Sequence, residues 1–169
     1  MKRFHQIFDA SWLMSPRGLW RGDNIPGFIE EVKLHIADET LKEIEAHLSN
    51  PEKESSARTG RRMVAKYMGQ KGYTGVTLAS VPLAPSFPLK NLRVDSSVGK
   101  KLLSLAYSLT ANDSDAFAFI LTLDGGIQTE ASMMHACTGL PIFTPATLNQ
   151  FLHFIGGTPV PDDDPRNLV

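Results

Sequence analysis

Six consecutive apolar residues, Ala116-Phe117-Ala118-Phe119-Ile120-Leu121, lead into Thr122-Leu123-Asp124-Gly125-Gly126. The run is far shorter than the roughly 20 residues a membrane helix needs, and it has no polar position to turn toward water. It suits a strand covered on both faces, as the strands of parallel sheets are. Such a strand needs neighbours in a sheet and helices above and below it.

The rest of the chain supplies both. Phe4 to Ala10 reads as a first strand, and Leu34-His35-Ile36-Ala37 as another. Thr74 to Val81 is β-prone, and Gly139-Leu140-Pro141-Ile142-Phe143 closes on a short strand. Ile25-Pro26-Gly27-Phe28-Ile29 opens a short helix ending near Lys33, after a turn-rich stretch from Ser15 to Asn24. Asp38 caps a helix carrying Leu41, Ile44 and Leu48 at helical spacing, and Glu52 to Tyr67 forms a polar one. From Ser96, Val98, Leu102, Leu103, Leu105, Ala106 and Leu109 make an amphipathic helix. Ile127 to Ala136 is a further helix, and Thr144-Pro145 starts the last one, through Phe154. Strands alternating with helices predict an α/β fold, a three-layer Rossmann-like sandwich with a mainly parallel central sheet. With 169 residues, one domain over residues 1–155 and a flexible, Gly-, Pro- and Asp-rich tail over 156–169 are expected.

Composition narrows the function. Cys137 has no partner, which excludes a disulfide scaffold, and no run is apolar enough for a membrane span. Lacking an apolar leader after Met1, the chain is expected in the cytoplasm. A net charge of −1 argues against a constitutive nucleic-acid coat but leaves room for an enzyme with a local basic patch. The histidines, His5, His35, His47, His135 and His153, lack zinc-ligand spacing, and there is no phosphate-binding glycine loop.

In parallel α/β sheets the site lies at the carboxyl ends of the strands. Two apolar strands each end there in an aspartate, at Ile7-Phe8-Asp9 and at Leu121-Thr122-Leu123-Asp124. Neighbouring carboxylates repel, and a divalent cation is the simplest way to keep both ionised. Mg²⁺ takes hard oxygen ligands and keeps waters, so few carboxylates suffice. Ser11 and Thr122 are placed to hydrogen-bond those carboxylates or hold a metal-bound water, or to satisfy local backbone instead. Arg58, Arg61, Arg62 and Lys66 form a basic cluster, either an RNA phosphate grip or a solvated helix face. Lys100 and Lys101 are a second such candidate.

Several motifs together resemble the PIN-domain ribonucleases. Phe8-Asp9-Ala10-Ser11 resembles their first-strand motif, Leu41-Lys42-Glu43-Ile44 their second acid, and Leu121-Thr122-Leu123-Asp124 their late strand. Gly139-Leu140-Pro141-Ile142-Phe143-Thr144-Pro145 resembles their closing strand and turn, and the match spans Lys2 to Phe154. The resemblance implies a Mg²⁺- or Mn²⁺-dependent endoribonuclease with Asp9, Glu43, Asp95 and Asp124 as catalytic metal ligands. It implies an RNA substrate, and also a toxin role with an antitoxin partner and homodimerisation. Asp95 sits about one turn earlier than the family pattern, where Gly99 stands, so Asp113 and Asp115 are held as fallbacks. The competing reading is a degenerate PIN-like module that binds RNA or a protein. A haloacid-dehalogenase-like phosphatase needs a second Asp where Ser11 stands.

Overall fold

The computed structural model describes residues 2–15, 29–85 and 97–164. The chain runs β1 (Lys2–Phe8), α1 (Ala10–Leu13), β2 (Ile29–Ala37), α2 (Asp38–His47), α3 (Glu54–Met68) and β3 (Tyr73–Val76). A 3-10 turn at Leu78–Ser80 follows, then α4 (Ser97–Ala111), β4 (Ala116–Leu121), α5 (Gly125–Thr138), β5 (Ile142–Phe143) and α6 (Leu148–Ile155). The five strands form one all-parallel sheet in the order β3-β2-β1-β4-β5.

Strand alternation sorts the core into two layers. Phe4 and Phe8 of β1, Leu34 and Ile36 of β2, and Phe119 and Leu121 of β4 face α1, α2, α3 and α6. Ile7, Ala37, Ala118 and Ile120 face α4 and α5 on the other side. This is the expected three-layer sandwich, with β1 and β4 buried on both faces. Phe119 makes edge contacts with Phe4 and Phe151 at centroid distances of 5.5 and 4.8 Å. No helix among the described residues is long and apolar enough to cross a membrane.

The structure corrects three details. Residues 29–33, expected as a short helix, belong to β2 instead, since Arg3 pairs with Glu31, Phe4 with Val32 and His5 with Lys33. Strand pairing overrides local propensity here, and Glu31 and Lys33 pair at 3.5 Å. Asp38 is the first residue of α2, capped by Ala37, and its Oδ2 accepts from Thr77 Oγ1. Beside it Glu39 accepts the Leu78 N–H, which holds its carboxyl below the usual range. The last helix is capped by Thr147 rather than Thr144: Thr147 Oγ1 accepts the Gln150 N–H, and Gln150 Oε1 accepts that of Ala146. That is a variant of the capping box in Thr147-Leu148-Asn149-Gln150. Beyond α6, Val160 exchanges two hydrogen bonds with the Asn149 amide, returning the chain onto that helix. Residues 16–28 and Asp95 lie outside the described residues.

Gly72 (φ +96°) ends the turn before β3, and its carbonyl accepts the Leu34 N–H. A Cβ there would run into the Val32 carbonyl oxygen. Gly72→Ala should therefore destabilise the fold by about 2 kcal/mol or more, measured by urea unfolding.

His5 and His35 form a buried pair on the sheet face of Ile7 and Ala37, with His5 Nδ1 2.9 Å from His35 Nε2. Burial lowers both pKa values, that of His35 to about 3, helped by His5 and Lys33. The folded state thus prefers neutral rings. The stability they contribute is complete above pH 6.5 and is lost as pH falls from 6.5 toward 3. Unfolding free energy should drop by up to about 1.4 kcal/mol per pH unit per ring below 6.5. His35→Gln should flatten that slope, read from denaturant midpoints between pH 7 and pH 5.

Candidate functional site

Two connections leave the middle of the sheet in opposite directions. From β1 the chain steps to β2 and β3; from β4 it steps to β5 on the other side. The strand order reverses between β1 and β4, which is where a crevice opens at the carboxyl ends of such sheets. Phe8 and Leu121 pair at that end, and the Asp9 N–H extends the ladder by donating to the Leu121 carbonyl at 3.0 Å.

Asp9 caps α1 and is nearly buried, 7% exposed. Its Oδ1 accepts the Ala10 N–H at 2.9 Å. Its Oδ2 accepts the Ser11 hydroxyl at 2.8 Å and the Thr122 hydroxyl at 2.7 Å. A hydroxyl has one proton, so both give theirs to Asp9, and their own 3.4 Å contact is proximity. Each hydroxyl oxygen then accepts a backbone N–H, Ser11 from Leu123 and Thr122 from Asp124, both at 3.0 Å. The sequence places these two hydroxyls at the site; the structure adds that they bind Asp9 and the β4–α5 turn at once.

Asp124 caps α5, its Oδ1 accepting from Gly126 N at 2.8 Å and Ile127 N at 3.1 Å. Among the described residues its Oδ2 takes no hydrogen bond and is open to a ligand. Gln128, one turn further along α5, holds the Thr122 carbonyl at 3.1 Å. Sequence reasoning misses Gln128, whose bond to Thr122 spans six positions and follows only from the turn between β4 and α5.

Glu43 is an exposed residue of α2, yet enough protein surrounds its carboxyl to raise its pKa. Asp9 raises it next, Asp124 adds to this, and His47 and Lys53 act against them. Asp9, Glu43 and Asp124 thus share one electrostatic field. Among the described residues no group of three or more His, Cys, Asp or Glu side chains is drawn together as a metal cluster. The donor chemistry still fits a hard cation: all three are carboxylates, and an ion that keeps its waters can bridge those not in direct contact.

The fallback acids are elsewhere. Asp113 and Asp115 precede β4, at the opposite end of the sheet from Asp9. Arg3 binds both Asp113 oxygens at 2.7 Å, and this holds the Asp113 carboxyl down to about 2. Neither can join the crevice. The basic cluster lies on the exposed side of α3, whose Ala57, Gly60, Val64 and Tyr67 are buried. Arg58 pairs with Glu54 at 2.7 Å, Arg61 with Glu45 at 3.1 Å, and Arg62 donates to Thr59. Arg58, Arg61 and Arg62 line an open cleft of about 410 Å³, and Lys66 is exposed nearby on the same helix. Lys101 donates to the Val81 carbonyl and so has a structural partner. Cys137 is exposed.

Comparison of the chain with protein-family models and with curated proteins finds no match.

The hydroxyl relay gives a direct test. Thr122→Val keeps the shape but removes a donor from buried Asp9 and an acceptor from the Asp124 N–H. It should cost about 2–3 kcal/mol of unfolding free energy, more than the partly exposed Ser11→Ala.

Proposed function

We propose that the chain is a metal-dependent endoribonuclease of the PIN-domain type. The observation that carries this reading is the meeting of Asp9 and Asp124 at the reversal of strand order, with Glu43 in the same field. Asp9, Glu43 and Asp124 would hold Mg²⁺ or Mn²⁺, and the resemblance assigns Asp95 as the fourth ligand. When bound, such an ion neutralises a phosphate and makes a nucleophile of water near neutral pH.

The chain's own residues hold the frame for this chemistry. Ser11 and Thr122 fill Asp9 Oδ2 with two donors and keep the carboxylate from rotating. The α5 cap does the same for Asp124 Oδ1, on a residue that is exposed. Repulsion among three carboxylates gives the crevice its demand for positive charge. In the reaction, a water oxygen bonds to phosphorus, the bond to the departing nucleoside oxygen breaks, and that oxygen takes up a proton. The exposed cations of α3, Arg58, Arg61, Arg62 and Lys66, are candidates to hold flanking RNA phosphates. The toxin role, the antitoxin partner and the homodimer rest on the resemblance alone, and the cytoplasmic setting on the composition of the first residues.

The test is cleavage of single-stranded and structured RNAs with Mn²⁺, with Mg²⁺ and with chelator. Cutting should require the metal, and Asp9→Asn and Asp124→Asn should each lower it at least about 100-fold. RNA that is bound but never cut would favour the binding module. Cutting unchanged in both variants would remove the site assignment.

A further inference from the structure

The acidic crevice has a cationic border. Glu43 and His47 stand four residues apart on α2 and therefore share a face of it. α2 leaves the carboxyl end of β2, and its first turn is tied to Thr77 and Leu78 beyond the end of β3. α3 must then deliver the chain to the start of β3, which enters the sheet beside Leu34. Its 15 residues span about 22 Å, so its first turn, capped by Lys53, lies back toward the carboxyl ends of the strands. Met14, Ile44 and Gly60 meet where α1, α2 and α3 touch, which fixes this arrangement next to Asp9. The charges of His47 and Lys53 both reach the Glu43 carboxyl.

Lys53 differs from Arg58 and Arg61 further along α3. Those two already have carboxylate partners, whereas Lys53, like Arg62 and Lys66, is exposed and, among the described residues, in no salt bridge; of these three it is the one whose charge reaches the Glu43 carboxyl. A phosphodiester approaching Asp9, Glu43 and Asp124 is repelled by all three. A cation within a Debye length of about 8–10 Å offsets that repulsion, while more distant ones are screened.

We propose that Lys53, together with His47 one turn from Glu43, is the phosphate-binding rim of this crevice and receives the backbone phosphate of a single RNA strand next to the phosphate held over the carboxylates. Lysine binds such a phosphate as a point charge, and the imidazole of His47 has an N–H to donate in either protonation state. The inference rests on the ribonuclease reading and adds the side from which the strand enters, across the α2–α3 turn.

The experiment uses the full chain and a fluorescent single-stranded RNA. Anisotropy is read in chelator across a salt series, and kcat and KM are read separately with Mn²⁺. Lys53→Gln should weaken binding about five- to tenfold and raise KM more than it lowers kcat. It should also reduce the slope of log affinity against log salt by about 0.7, the value for one single-strand phosphate contact. Lys53→Arg should restore the slope, and Lys71→Gln, in the turn between α3 and β3, should match wild type. Lys53 is exposed, so an unchanged melting temperature confirms that the variant folds. If wild type binds and cuts RNA while Lys53→Gln keeps both affinity and salt slope, this inference falls and the ribonuclease reading stands. If wild type neither binds nor cuts RNA, both fall together.

Discussion

The site depends on a carboxylate held by two hydroxyls. Asp9 sits at the end of the central strand, nearly out of water, where an unsatisfied charge would cost several kcal/mol. Ser11 and Thr122 compensate it from opposite directions, one from the helix that follows β1 and one from the end of β4. Because each hydroxyl also accepts a backbone N–H from the β4–α5 turn, the Asp9 charge and the position of Asp124 are set by the same four hydrogen bonds. Removing one hydroxyl takes a donor from a buried charge and leaves a backbone N–H of the turn without its acceptor.

Much of this was legible in the chain, for physical reasons that differ from place to place. The apolar run at Ala116–Leu121 could only be a strand covered twice, and it is. Asp9 and Asp124 could be assigned to strand ends because a carboxylate breaks an apolar run where the strand gives way to a helix cap. The β2 boundary was not legible, because Glu31 and Lys33 carry no strand signal and become strand only through pairing with β1. The His5–His35 pair was equally hidden, since two histidines 30 residues apart meet only once strand register is known. Arg3 with Asp113, 110 apart, is the same case. At the site, residue types were readable but directions were not: neither the protons of Ser11 and Thr122 nor the cationic side of Glu43 follows from spacing alone.

Charge is distributed unevenly around the sheet. At the amino ends of the strands Arg3 neutralises Asp113, and Glu31 pairs with Lys33. At the carboxyl ends the charges of Asp9 and Asp124 reach the Glu43 carboxyl, and those of His47 and Lys53 act against them. The deep middle carries two imidazoles whose burial keeps them uncharged.

The strand order has a consequence in time. Thr122 bonds Asp9 across 113 residues of chain, since the crossover from β3 to β4 passes over β1 and β2 before the sheet is completed. Contacts of such separation are the slow ones in folding, because a long loop must close before they reward it. On a ribosome the first strand emerges with its aspartate more than a hundred residues before β4. Until β4 arrives, that carboxylate has no hydroxyl from Thr122 and no Asp124 beside it. The acidic crevice is therefore a late product of synthesis, assembled only when the two halves of the chain are both present.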